Sequence, residues 1–276
     1  MGYINKEYWS SLHQKLPGKL SAVGYEGLGE GFNRATYGIR LQAAEALLRS
    51  HPVRPVTTVI EGAVGVGKYR EVWQALGMTA WVGLDISEAA IGHLQERFPD
   101  STFLRTDLTD ANDPAWTHVP LQADLVTAVD VLYHLTDDAL FATALKNLAS
   151  RVRKSGWLLV SDIFVPERKQ TAEHVVRRPL DAYLRVLDPL GFEVKGRAAV
   201  FSILGDPVQS SAHPFRDRLL RTGWRALSKA IRLTPLAYRE PTGAMLVRAV
   251  EPMDALFKRL GWAKGFNLEL CLLQRR

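Results

Sequence analysis

Cysteine is nearly absent: Cys271 stands alone among 276 residues. A lone thiol excludes an internal disulfide and any metal centre built on several thiolates. Long hydrophobic runs are missing as well. The longest, such as WLLVSDIFV, fall far short of the roughly 20 residues a membrane-spanning helix needs. The start, MGYINKEYWSSLHQK, is polar and lacks the apolar centre of a secretory signal, so a cytoplasmic location is expected. The seven histidines show no H-x-x-x-H spacing, and no metal site is expected. No repeat or low-complexity tract occurs.

What remains is an ordinary globular composition, 47% hydrophobic and 23% charged, able to bury a core without staples. The length divides into roughly two average domains or fits one decorated α/β domain. The net charge of +6 is unevenly spread. Residues 1–120 carry 11 basic and 13 acidic side chains, whereas residues 201–276 carry 13 and 6. The basic balance therefore describes one late segment and is weak grounds for a nucleic-acid partner.

The middle of the chain alternates β-rich runs with helical patterns, as a parallel α/β sheet does. TTVIEG, TAWVGLD, STFLRTD, ADLVTAVD and SGWLLVSDIFV read as five successive strands. YREVWQALG reads as a helix closed by Gly77, and SEAAIGHLQERF as one capped by Ser87. TDDALFATALKNLASRVR reads as a long helix capped by Thr136. PLDAYLRVLDPLG is a further helix, and FEVKGRAAVFSIL a long sixth strand. Residues 207–262 turn helical, with Pro252 expected to break or kink them. FNLELCLLQRR reads as a seventh strand.

The strongest local signal is VIEGAVGVGKY, a strand running into a glycine-rich turn and then a helix. Such a turn presents backbone N–H groups to a polar ligand. A dinucleotide fingerprint is incomplete, because Arg70 occupies its third glycine. A phosphate loop is nearer, with Gly62, Gly67, Lys68 and a later strand ending in Asp130. Tyr69, however, takes the place of the small hydroxyl that ligands magnesium. The third pattern is E/D-x-G-x-G-x-G, met by Glu61, Gly65 and Gly67, with Ala63 where the first glycine usually sits. Carboxylates then follow at successive strand ends: Asp85, Asp107 and Asp130. Four acids around one turn suit a cationic ligand and would repel phosphates.

In these motifs the chain, from about residue 30 onward, resembles class I S-adenosylmethionine-dependent methyltransferases. The resemblance implies a Rossmann-like α/β sheet of seven strands in the order 3-2-1-4-5-7-6, with strand 7 antiparallel. One domain is expected over residues 1–276. Residues 1–50 would supply cap helices, 51–206 the cofactor core, 207–262 a helical insertion and 263–276 the last strand. The cofactor would be S-adenosylmethionine, leaving as S-adenosylhomocysteine, with no metal. By the same resemblance Glu61 sits beneath the cofactor ammonium, and Ala63, Gly65 and Gly67 form the turn. Asp85, with Ile86 after it, would hold the ribose. Asp107 and the Leu108 N–H would meet the adenine, and Asp130 the methionine end.

The segment DVLYHL, 130–135, faces the transferred methyl in that family. His134 is the candidate general base, with Tyr133 as its aromatic neighbour; simple packing is the alternative for both. Tyr37 and Arg40 either grip the cofactor carboxylate or belong to a solvated helix face. His174, Arg177 and Arg178 follow the fifth strand, as a substrate-contacting loop or as charged surface. DVLY lacks the prolines of the DNA-amino enzymes' [DN]-P-P-[YF] motif, which argues against nucleic acid. The late basic helix, with Phe215, Trp224 and six cations, could face an anionic or lipid-like acceptor, solvent, or anionic lipid. The expected partner is a small-molecule acceptor methylated at oxygen, with N- or RNA methylation as alternatives. A P-loop nucleotide hydrolase and a cofactor-binding module without turnover remain open from other classes.

Overall fold

The computed structural model describes residues 5–53, 55–208 and 213–276. Residues 1–4 of the polar start lie outside the described residues. The helices α1 (Asn5–Lys15) and α2 (Gly29–Arg49) come first. The sheet core follows as β1 (Thr58–Gly62), α3 (Arg70–Ala75), β2 (Ala80–Asp85), α4 (Glu88–Arg97), β3 (Thr102–Arg105), β4 (Ala123–Ala128), α5 (Asp138–Ser150) and β5 (Val152–Asp162). Then come a short hairpin, β6 (Lys169–Ala172) and β7 (Val175–Arg177), α6 (Leu180–Leu187) and β8 (Phe192–Ala199). Two long helices, α7 (Pro214–Leu233) and α8 (Leu236–Arg259), separate β8 from β9 (Glu269–Arg275).

The seven-stranded sheet runs β3-β2-β1-β4-β5-β9-β8. β9 is antiparallel to both neighbours, and the pairs among β1 to β5 are parallel. This is the expected order, with β8 and β9 as sixth and seventh strands. Strands buried on both faces need apolar runs rather than alternation, and Leu158, Leu159 and Val160 of β5 are all solvent-free. One core layer holds Val59, Leu125, Leu159 and Leu272 under α2 and α3; the other holds Ile60, Val126, Leu158 and Leu273 under α5 and α6.

Several local expectations need correction. The cap of α5 is Asp137, whose Oδ1 accepts from the N–H groups of Ala139 and Leu140 at 2.8 and 2.9 Å; Thr136 lies one residue too early. The sixth strand stops at Ala199 instead of running to Leu204. Buried Asp254 of α8 draws the chain out of the sheet, accepting from the N–H groups of Ser202, Ile203 and Leu204. Pro252 does not end a helix: α8 continues across Pro241 and Pro252. Tertiary contact outweighs the lost hydrogen bonds here. At the α2–α8 crossing a Cβ on Gly31 would stand 1.9 Å from the Glu240 carbonyl oxygen, and one on Gly243 would stand 3.0 Å from the Phe32 nitrogen. Only glycine allows the backbones so close.

Candidate active site

The ends of β1, β2 and β4 open on one cavity of about 420 Å³, which residues of α1 also line. That is the switch point of an open parallel sheet, where ligands bind. β1 delivers Glu61, whose buried Oε2 accepts from the indole N–H groups of Trp73 and Trp81 at 2.8 and 3.1 Å. Burial pushes its carboxyl up to about 7, against the opposing pull of the two indoles. The turn after β1 has three left-handed positions: Ala63 (φ 54°), Gly65 (φ 55°) and Gly67 (φ 70°). Ala63 carries the strain, since a Cβ disfavours that region.

Asp85 is held at both oxygens, Oδ2 by the Gly65 N–H and Oδ1 by the Ser87 N–H, each at 2.9 Å. The second strand end is thereby locked to the glycine turn. Asp107 is fixed through Oδ1, which accepts from the Thr109 N–H (2.8 Å) and hydroxyl (2.6 Å). Its own N–H donates to Asp113. Asp130 adopts φ 58°, an αL position for a non-glycine residue. Its Oδ2 receives the Arg40 guanidinium at 2.6 Å, and its Oδ1 accepts from the hydroxyls of Tyr133 and Ser161.

Tyr37, Glu61, Ala63, Gly65, Asp85, Ile86, Asp107, Leu108, Asp130 and His134 all line the cavity. Gly67, Arg40, Tyr133, His174 and Arg177 do not. A Cβ on Gly67 would meet Leu94 at 2.8 Å and Trp81 at 2.9 Å, so this glycine packs the turn against α4. Arg40 stands behind Asp130 with its guanidinium over the rings of Tyr37 and Phe201, buried rather than on a solvated face. Arg177 lies 3.8 Å from the Tyr133 ring centroid and donates to buried Asp162 at 3.0 Å. Arg178, expected in a loop, is buried; it bonds Asp138 and the Leu135 carbonyl and tethers the hairpin region to the start of α5.

His134 lines the cavity next to α1. Its Nδ1 is 2.9 Å from the His174 carbonyl oxygen, which fixes the proton on Nδ1. Its ring stacks on His174 at 5.5 Å and meets the edge of Trp9 at 4.8 Å. Burial pushes its pKa down to about 3, only partly offset by that carbonyl, so the ring is neutral at ordinary pH.

Cap helices were expected over residues 1–50, but not which side chains of α1 would reach the cavity. Asn5, Trp9 and His13 stand four residues apart on one helix face and all line the cavity. Asn5 donates to the His134 carbonyl, and Tyr8 stacks on His174. That i, i+4, i+8 spacing was the available signal, hidden by the polarity of the segment. Among the described residues no group of three or more His, Cys, Asp or Glu side chains could hold a metal ion, and no helix is long and apolar enough to cross a membrane.

A methyltransferase-domain family model matches residues 6–194. The chain belongs to the S-adenosylmethionine-dependent class I methyltransferases. Among solved structures it is similar to a Leishmania major S-adenosylmethionine-dependent methyltransferase (TM-score 0.56, 15% identity, covering 71% of this chain and 74% of that one). It is similar to the O-methyltransferase of a Brevibacillus brevis trans-AT polyketide synthase multienzyme, solved with S-adenosylhomocysteine (0.53, 12%, 97% and 79%). It is also similar to the N-methyltransferase NodS from Bradyrhizobium japonicum WM9, likewise with S-adenosylhomocysteine (0.51, 13%, 97% and 98%). At these identities the likeness is one of fold. No curated protein sequence matches the chain. The phosphate-loop alternative falls with the family. Lys68, its would-be phosphate ligand, pairs with Glu71, and buried Tyr69 stacks on Trp73.

Proposed function

We propose that this methyltransferase carries a methyl group from S-adenosylmethionine to an oxygen of a small molecule. The observation that carries the reading is the chain of carboxylates on one cavity wall: Glu61, Asp85, Asp107 and Asp130 at four strand ends. The residues fit such a cofactor. Asp85 is pre-oriented by two backbone donors, as a ribose acceptor must be, and Glu61 offers a carboxylate beside the space for an ammonium. The volume of about 420 Å³ lies within the range of ligand pockets. When bound, the cofactor supplies an already activated methyl. The protein's part is then to orient the acceptor and exclude water.

His134 is the group we assign to the acceptor's proton. With Nδ1 held by the His174 carbonyl, Nε2 is its accepting atom. A pKa near 3 makes it a weak base. It suits a hydroxyl that is itself acidic, such as a phenol, better than a sugar hydroxyl. Tyr133, bonded to Asp130 and covered by Arg177, supports the loop from behind. Arg40 is assigned to Asp130 rather than to the cofactor carboxylate, and His174 to orienting His134.

The test is His134→Ala with two readouts. Turnover of a phenolic acceptor should fall by about 10²-fold, while S-adenosylhomocysteine affinity stays within twofold. Full turnover by the variant removes the base assignment. Tight cofactor binding by the wild type, with no turnover across a broad acceptor panel, would favour a binding module. A turnover confined to amines or RNA would overturn the oxygen assignment.

A further inference from the structure

We propose that the outer face of α7 docks on an anionic lipid surface. The inner face of this helix is fully used: Leu220, Trp224, Leu227 and Ile231 are buried against the body. The outer face carries Phe215, Leu219 and Leu233, spaced so that they fall on one side of the helix. Phe215 is 79% exposed and Leu233 73%, and Leu236, just past the turn, is 80% exposed. These side chains protrude instead of lining a groove. That shape suits insertion among acyl chains better than reception of a peptide.

Charge selects the partner. α7 holds six cations and one acid. The acid, Asp217, is buried and paired with Arg216 at 2.8 Å. Arg218, Arg225 and Lys229 border the apolar stripe and are exposed. Among the described residues none of these three makes an ion pair. An apolar stripe edged by cations with no exposed acid is the pattern of an interfacial helix on anionic headgroups. The placement also explains the uneven charge of the chain, whose surplus lies after residue 200.

The experiment is flotation of the full chain with two vesicle types, phosphatidylcholine alone and phosphatidylcholine with about one-third phosphatidylserine. The wild type should float with the anionic vesicles only, and raised salt should weaken that association. A Phe215→Ser/Leu219→Ser/Leu233→Ser variant and an Arg218→Glu/Arg225→Glu/Lys229→Glu variant should each bind at least about tenfold more weakly. All the replaced side chains are exposed, and S-adenosylhomocysteine affinity should be unchanged in both variants, which reports an intact core. The proposal is overturned if the wild type ignores anionic vesicles, or if both variants float as it does. It is equally overturned if the apolar variant instead dissolves a dimer, or the charge variant abolishes RNA binding, without vesicle association in the wild type.

Discussion

Arg40 of α2 and Asp130 at the end of β4 meet at 2.6 Å with only about a tenth of either side chain exposed. The pair joins the helix before the sheet to a residue that lines the cavity. Breaking one partner of a buried pair strands the other charge. Arg40→Met should therefore cost about 3–5 kcal/mol of stability, read by urea unfolding. A loss of cofactor affinity with stability intact would mean that Arg40 leaves Asp130 for the cofactor carboxylate.

Ala63 holds φ 54° where glycine would be at ease. Ala63→Gly relieves that strain but gives the unfolded chain more freedom. The net gain should be up to about 1 kcal/mol in thermal or urea unfolding, with cofactor affinity equal or better. A destabilised Gly variant would show that the alanine methyl is needed for packing.

Asp85 is the ribose candidate. Asp85→Ala removes the acceptor and also frees the Gly65 and Ser87 N–H groups. S-adenosylhomocysteine binding should weaken by about 1–3 kcal/mol in calorimetry. An unchanged dissociation constant would count strongly against the role.

Glu61 gives a pH signature. Its carboxyl is raised from 4.5 to about 7 by burial, so the folded protein holds its proton more tightly than the unfolded chain does. The stability this group contributes is full below 4.5 and is lost as pH rises through about 7. Glu61→Gln should remove that slope and be the more stable form above pH 7 relative to wild type. Cofactor affinity should move oppositely. In the wild type it falls as pH drops below about 7, because an ammonium needs the carboxylate; in the variant it is about tenfold weaker and flat. Parallel titrations of both proteins with S-adenosylhomocysteine check this.

The strands and the strand-end acids were legible because a buried parallel sheet writes itself as apolar runs punctuated by turn residues. Asp85 and Asp107 needed only that pattern. What sequence could not supply was long-range pairing. Arg40 and Asp130 are 90 residues apart, and nothing local distinguishes a buried arginine from a solvated one. The β6–β7 hairpin was missed because its strands are short and β6 is wholly exposed, leaving no periodic signal. The early stop of β8 depends on Asp254, a residue 52 positions away from Ser202.

β9 lies between β5 and β8, yet it is made last of the three. During synthesis β8 therefore leaves the ribosome with no neighbour to pair with, and must wait while residues 200–268, α7 and α8 among them, follow. Its exposed faces and unpaired amides are a template for the wrong strand throughout that interval. A chain stopped short of β9 would keep a parallel half-sheet and lose the means to close it.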